Sequence, residues 1–168
     1  SNPKMPNYEK IKLLYVGRFR IEKGVFSLLK IISRNENYTL SIVGIEKEEK
    51  RENLKNVFFR EIENNKSEMI NIYDESTIFV LPSYTEGHPM VLFEALARCR
   101  PIIIFDEIKH VIGKKNGIFV CKRNFESFRQ TVEYITKNKD SIFEKMKNNK
   151  IPTKKDFIEK LSNILVQY

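Results

Sequence analysis

The chain has 168 residues, 41% of them hydrophobic and 31% charged, enough for one domain built on a single core. Its net charge of +8 is spread through the chain, as in Lys47-Glu48-Glu49-Lys50-Arg51, not gathered into a basic stripe interleaved with aromatics. That pattern argues against a nucleic-acid face and leaves the phosphates of a small ligand, or an anionic membrane surface, as what the charge could meet. No run approaches the roughly 18 apolar residues of a membrane span, and no signal peptide is visible.

Ser1-Asn2, with the first methionine at Met5, reads as a tag remnant. Residues 1–7 are accordingly assigned to a tag remnant or linker, and 8–168 to one domain of a longer, cytoplasmic polypeptide. The Lys- and Asn-rich composition suits a low-GC bacterial source.

Six short apolar runs follow in chain order: Leu13–Val16, Leu40–Val43, Val57–Phe59, Ile78–Leu81, Ile102–Phe105 and Ile118–Val120. Each is near-continuous instead of alternating, as expected for strands covered on both faces. Between them the period becomes helical. Val25, Leu28, Leu29 and Ile32 recur at i, i+3, i+4 and i+7, and Met69, Ile70 and Tyr73 give a shorter helix. From about Asn124 the chain reads as helix only: Phe125, Phe128, Val132 and Ile135 form one stripe, and Pro152 separates it from a last helix over Phe157–Leu165, with Thr153 as local cap. This alternation predicts an α/β fold: one Rossmann-like domain with an open parallel sheet of about six strands, helices on both faces and a helical C-terminus. Cys99 and Cys121 lack metal-ligand spacing and read as reduced, buried thiols, although the sequence leaves a pairing open.

In such a sheet ligands bind beyond the carboxyl ends of the strands, so the strand-to-helix loops are the places to look. After the first strand, Gly17-Arg18-Phe19-Arg20-Ile21-Glu22-Lys23-Gly24 combines two glycines with Arg18 and Lys23. Cations beside a helix N-terminus favour an anion such as a diphosphate. The spacing matches neither a P-loop nor a dinucleotide fingerprint, and plain surface charge explains this loop equally well. After the fourth strand, Glu86-Gly-His-Pro-Met-Val-Leu-Phe-Glu94 brackets a helix start with two carboxylates. Pro89 suits the first helical turn, and Glu94 then lies about 7 Å further along the axis. Both acids can accept hydrogen bonds from sugar or ribose hydroxyls, while the amides of Gly87 to Val91 face any phosphate. Taken alone, the loop is explained slightly better by an acid favouring the helix end and a second acid exposed on the helix. Lys115-Asn116-Gly117 is a turn signal only.

Taken together these loops resemble one family. Tyr15-Val-Gly-Arg18, Glu22-Lys-Gly24, Ile42-Val-Gly44, Leu81-Pro-Ser83, Glu86-Gly-His-Pro89, Glu94-Ala-Leu-Ala97, Pro101-Ile-Ile103 and Asn116-Gly-Ile-Phe-Val120 look like the C-terminal half of GT-B-fold glycosyltransferases of group 1, or family 4. Glu86 and Glu94 match the E-x7-E signature of that family. The resemblance implies a retaining hexosyltransferase-type enzyme that uses a nucleotide-diphosphate sugar as donor and no metal or other cofactor.

Under that resemblance Arg18 and Lys23 hold the diphosphate and stabilise charge on the departing nucleotide. Glu86 binds donor-sugar hydroxyls and Glu94 the ribose. Gly17, Gly87, His88, Pro89, Met90 and Val91 line the sugar and phosphate pocket, and the base is bordered by the residues around Arg60 to Ile62. A missing N-terminal domain presents a saccharide or lipid-linked acceptor. This piece alone is then inactive, and the whole protein makes peripheral contact with the inner membrane face. Departures stand at Arg60 and Cys99, where the family usually has glycine, and at Lys109, near a usual glutamate. They motivate an alternative: a non-catalytic module that binds a nucleotide or phosphate ligand on the same fold.

Overall fold

The computed structural model describes residues 2–45 and 54–151. The charged run 47–51 and the helix expected over 157–165, with its cap Thr153, lie outside the described residues. Each apolar run becomes a strand: β1 (Ile11–Val16), β2 (Tyr38–Ile45), β3 (Val57–Glu61), β4 (Ile78–Leu81), β5 (Ile102–Phe105) and β6 (Ile118–Cys121). They form one parallel sheet in the order β3-β2-β1-β4-β5-β6. The helices are α1 (Val25–Ile32), α2 (Lys66–Glu75), α3 (Met90–Ala97), α4 (Phe125–Lys137) and α5 (Lys139–Lys147). Right-handed crossovers place α1 on one face and α2 and α3 on the other, with α4 packed beside α1 and against β6.

The continuous apolar character of the central strands has the expected cause. Every residue of β4 and β5 is buried. The edge strands differ: β3 exposes Phe58, Arg60 and Glu61, and β6 exposes Val120, because each has a neighbour on one side only. Cys99 and Cys121 are free and buried, and burial pushes the Cys121 thiol up to about 12.

Three local outcomes differ from the sequence expectation. Pro89 is the N-cap of α3 and not its first-turn residue: its ψ of 108° keeps it extended, so the helix opens at Met90. The all-helical stretch after Asn124 breaks at Asn138 as well. Asn138 has left helical geometry, and its side-chain amide donates to the Tyr134 carbonyl at 2.8 Å, giving that carbonyl a partner outside the helical ladder. A 3-10 segment, Asp106–Val111, also follows β5, where no helix was expected.

The C-terminal ends of α2 and α3 are tied by charge. Arg98 and Arg100 both meet the Asp74 carboxylate, and the fully buried Arg100 also donates to the carbonyls of Asp74, Ser76, Arg98 and Lys4. Just before Arg100, Cys99 adopts φ +50°, the left-handed conformation that glycine takes readily. The amides of Cys99 and Arg100 turn back to Leu96 and Ala95 at 3.0 and 2.9 Å, closing α3. A branched side chain is disfavoured in this conformation. Cys99→Val should therefore lower stability by about 2 kcal/mol, whereas Cys99→Gly should stay within about 1 kcal/mol of the parent, relief of strain offsetting the lost thiol; thermal unfolding of the two variants checks the order.

Candidate functional site

The strand order reverses between β1 and β4, the point at which an open α/β sheet leaves a crevice above its carboxyl ends. Two clefts open there and share Val16, Gly17 and Val91. One, of about 320 Å³, is lined by Gly17, Arg18, Gly44, Ile62, Glu63 and Glu94 among others. The other, of about 260 Å³, is lined by Gly17, Lys23, Ser83, Glu86, His88, Pro89, Met90 and Val91 among others. Of the residues singled out from sequence, Gly17, Arg18, Lys23, Ile62, Glu86, His88, Pro89, Met90, Val91 and Glu94 thus border one continuous crevice. Gly87 sits in the same loop but faces open space. Arg60 is turned elsewhere: it lies 3.8 Å from Glu75 and lines a separate groove with Thr39 and Phe58. Ile62 and Glu63 hold the crevice wall at that corner.

Glycines set how closely the loops approach. Gly44, at φ +106°, lies where a Cβ would stand 2.7 Å from the Gly17 carbonyl oxygen, and the Gly17 amide donates to Val43 at 2.9 Å. The ends of β1 and β2 therefore form a flat floor. Gly24, at φ +69°, closes the 3-10 turn Ile21–Lys23 and starts α1. A Cβ on Gly24 would stand 1.9 Å from the Pro82 carbonyl oxygen. This contact presses the β1 loop onto the β4 loop, and the Tyr84 amide adds a hydrogen bond to the Glu22 carbonyl at 3.1 Å.

The juxtaposition joins Lys23 and Glu86 directly. Glu86 Oε1 accepts from Lys23 Nζ at 2.8 Å and from Ser83 Oγ at 2.6 Å, and the Glu86 carbonyl lies 2.7 Å from His110 Nε2. The Glu86 side chain is 11% exposed and that of Lys23 32%, so a ligand can reach the pair from the open side. On the other cleft, Tyr73 donates to Glu94 Oε2 at 2.8 Å. Burial, and then the Glu94 charge, hold the Tyr73 phenol well above its usual range, so it remains a donor. The Tyr15 hydroxyl, raised first by burial and then by Glu86 and Glu22, donates to the Arg18 carbonyl at 2.8 Å and fixes the loop that carries Arg18.

Sequence reasoning missed the brace beneath this arrangement. Arg123, just beyond β6, donates to Ser27 Oγ and the Pro82 carbonyl at 2.8 Å each and to the Ser83 carbonyl at 3.3 Å. Its guanidinium also meets the Glu107 carboxylate and lies between the rings of Tyr84 and Phe105, at 4.1 and 4.3 Å from their centroids. Hydrogen bonds from Arg123 hold the Glu107 carboxyl below its usual range. Only the arginine itself, at the end of a strand, offered a signal. Among the described residues no group of three or more His, Cys, Asp or Glu side chains gathers as a metal site, and no helix is long and apolar enough to cross a membrane.

Comparison with known proteins identifies the family and the fold. Residues 2–155 match the family described as Glycosyl transferases group 1. An uncharacterized glycosyltransferase of Haemophilus influenzae is 29% identical over 94% of the chain and 48% of its own length. The capsular polysaccharide biosynthesis glycosyltransferase CapM of Staphylococcus aureus is 28% identical over 80% of the chain and 39% of its own length. The chain thus spans less than half the length of these curated relatives. Among solved structures, sucrose-phosphate synthase from Thermosynechococcus elongatus superposes with a TM-score of 0.76 at 17% identity, covering 95% of this chain and 45% of that one. HepE of Anabaena, solved in complex with UDP and glucose, superposes with a TM-score of 0.66 at 12% identity, covering 82% of this chain and 42% of that one.

The tight approach at Gly24 makes a direct test of the site's architecture. Gly24→Ala should destabilise the chain by about 2–4 kcal/mol, since it adds left-handed strain to a backbone clash. It should also shift the amide resonances of Ser83 and Tyr84 across the crevice, which a nitrogen–proton correlation spectrum reads directly.

Proposed function

The chain belongs to the group 1 glycosyl transferases, and from that premise we propose that it is the donor half of a retaining enzyme, binding a nucleotide-diphosphate sugar for transfer to a saccharide or lipid-linked acceptor. The observation that carries this reading is the single crevice at the β1–β4 switch point, with Arg18 and Glu94 in one cleft, Lys23 and Glu86 in the other, and Gly17 between them. The ribose hydroxyls donate to Glu94, which Tyr73 already orients from below. The base lies toward Ile62 and Glu63. The diphosphate crosses the glycine floor between Arg18 and Lys23, and the sugar reaches Glu86.

Lys23 has a partner already, and this shapes the mechanism. An entering diphosphate competes for the Lys23 ammonium, and Glu86, still held by Ser83, turns its freed lone pairs to the sugar hydroxyls. As the bond from the sugar's anomeric carbon to the diphosphate breaks and the acceptor oxygen bonds to that carbon, the acceptor's hydroxyl proton passes to the departing phosphate oxygen and negative charge grows on the nucleotide. Arg18 and Lys23 stabilise it from fixed positions. No metal is needed in this scheme, because the two side-chain cations supply the positive charge. The acceptor comes from a second half of the protein, and closure of the two halves excludes water. A lipid-linked acceptor would bring the whole cytoplasmic protein to the inner membrane face. CapM, named for capsular polysaccharide biosynthesis, supports a saccharide acceptor.

The two acids have separable roles under this reading. Glu94→Ala should weaken UDP binding to this chain about tenfold, the loss of a charge-assisted contact to the ribose. Glu86→Ala should leave UDP affinity within about twofold but abolish sugar transfer in a protein carrying both halves. Calorimetry with UDP and a transfer assay check the pair; unimpaired transfer by Glu86→Ala would remove Glu86 from the donor-sugar role, and no transfer by the parent would favour a non-catalytic module.

A further inference from the structure

A second basin, of about 530 Å³, begins at His88 and runs away from the crevice. His88 lines both spaces, so the two are continuous at that residue. Three ammonium groups surround the basin: Lys114 and Lys115 from the loop before β6, and Lys150 from the segment after α5. None of them forms an ion pair with a carboxylate among the described residues.

The basin is held in shape. The Asn116 amide donates to Asn149 Oδ1 at 2.8 Å, and Asn149 Nδ2 donates back to the Asn116 carbonyl at 2.8 Å. This reciprocal pair locks the loop of Lys114 and Lys115 to the segment of Lys150. On the opposite wall the Phe93 ring packs against His88 at 5.0 Å, and Lys115 Nζ lies over it at 5.1 Å, half-buried by the contact. A basin lined by three lysines and no carboxylate favours an anion.

We propose that this basin binds a phosphate group of the acceptor, steering an anionic acceptor toward His88 and the sugar end of the crevice. The steering role rests on the donor reading given above; phosphate binding by the basin does not. The donor's own phosphates are excluded as the occupant by position, since Arg18 and Lys23 lie in the clefts on the other side of His88. The phosphate could belong to a lipid headgroup or to a soluble phosphorylated acceptor, and the chemistry that recognises either is the same.

The test uses this chain, labelled for nitrogen–proton correlation spectra at low ionic strength. Inorganic phosphate should shift Phe93, Lys115 and Asn116 saturably, and added sodium chloride should weaken the effect. The double variant Lys114→Ala, Lys115→Ala should bind phosphate about tenfold more weakly, while UDP-induced shifts at Gly17 and Arg18 remain as in the parent. Phosphate shifts confined to Gly17 and Arg18, or undiminished in the double variant, would overturn the proposal. Failure of UDP to shift Gly17 and Arg18, with the basin still responding, would overturn the donor reading and leave the basin standing. Glycerol 3-phosphate and phosphatidylglycerol vesicles separate the two sources: binding of either supports the basin and names the source, and binding of neither counts against it.

Discussion

Everything at the top of this sheet depends on one backbone contact, Gly24 against the Pro82 carbonyl. The turn after β1 and the loop after β4 belong to adjacent strands, but adjacency alone leaves side chains between them. A Cβ at Gly24 would stand 1.9 Å from the Pro82 oxygen, so only glycine admits the approach. Arg123 then takes the same carbonyl at 2.8 Å, and the Tyr84 amide reaches back to Glu22. With the backbones pressed together, Lys23 meets Glu86 across 63 positions of sequence. The crevice and its Lys23–Glu86 pair are thus formed by the fold itself, and under the proposed reading its residues need only exchange partners when a ligand enters.

That exchange gives the crevice its electrostatic logic. Glu86 is kept in place by Ser83 and Lys23, and Glu94 by Tyr73, so both carboxylates have donors before any sugar arrives. A buried polar site without such partners costs stability; this one satisfies its hydrogen bonds internally, and under the proposed reading it trades them for the ligand's. Arg18 and the lysines around the basin beside His88 form no ion pair with a carboxylate among the described residues, so an incoming anion meets them without displacing an acid.

Much of this was legible in the sequence, for physical reasons. Buried parallel strands need continuous apolar runs, and the six runs became six strands. Tight loops need glycine, and Gly17 and Gly24 marked the loop after β1, though not the Pro82 carbonyl it meets. Other features had no one-dimensional signature. Arg123 acts through three carbonyl and hydroxyl contacts and two ring faces contributed by three distant segments. Arg60, two residues before the crevice-lining Ile62, sits on the short edge strand β3 and lines the separate groove with Thr39 and Phe58, a placement that no residue pattern marks. Cys99 shows the converse: its left-handed backbone stands where the resembled family usually has glycine, although the residue itself does not favour that conformation.

The most direct test is a crystal structure of this chain with a nucleotide-diphosphate sugar. The account predicts the diphosphate over Gly17 within hydrogen-bonding reach of both Arg18 and Lys23, the ribose on Glu94, and the sugar on Glu86 with its ion pair to Lys23 opened. A nucleotide seated away from Gly17, or one bound there with the Lys23–Glu86 pair intact and Glu94 untouched, would contradict it.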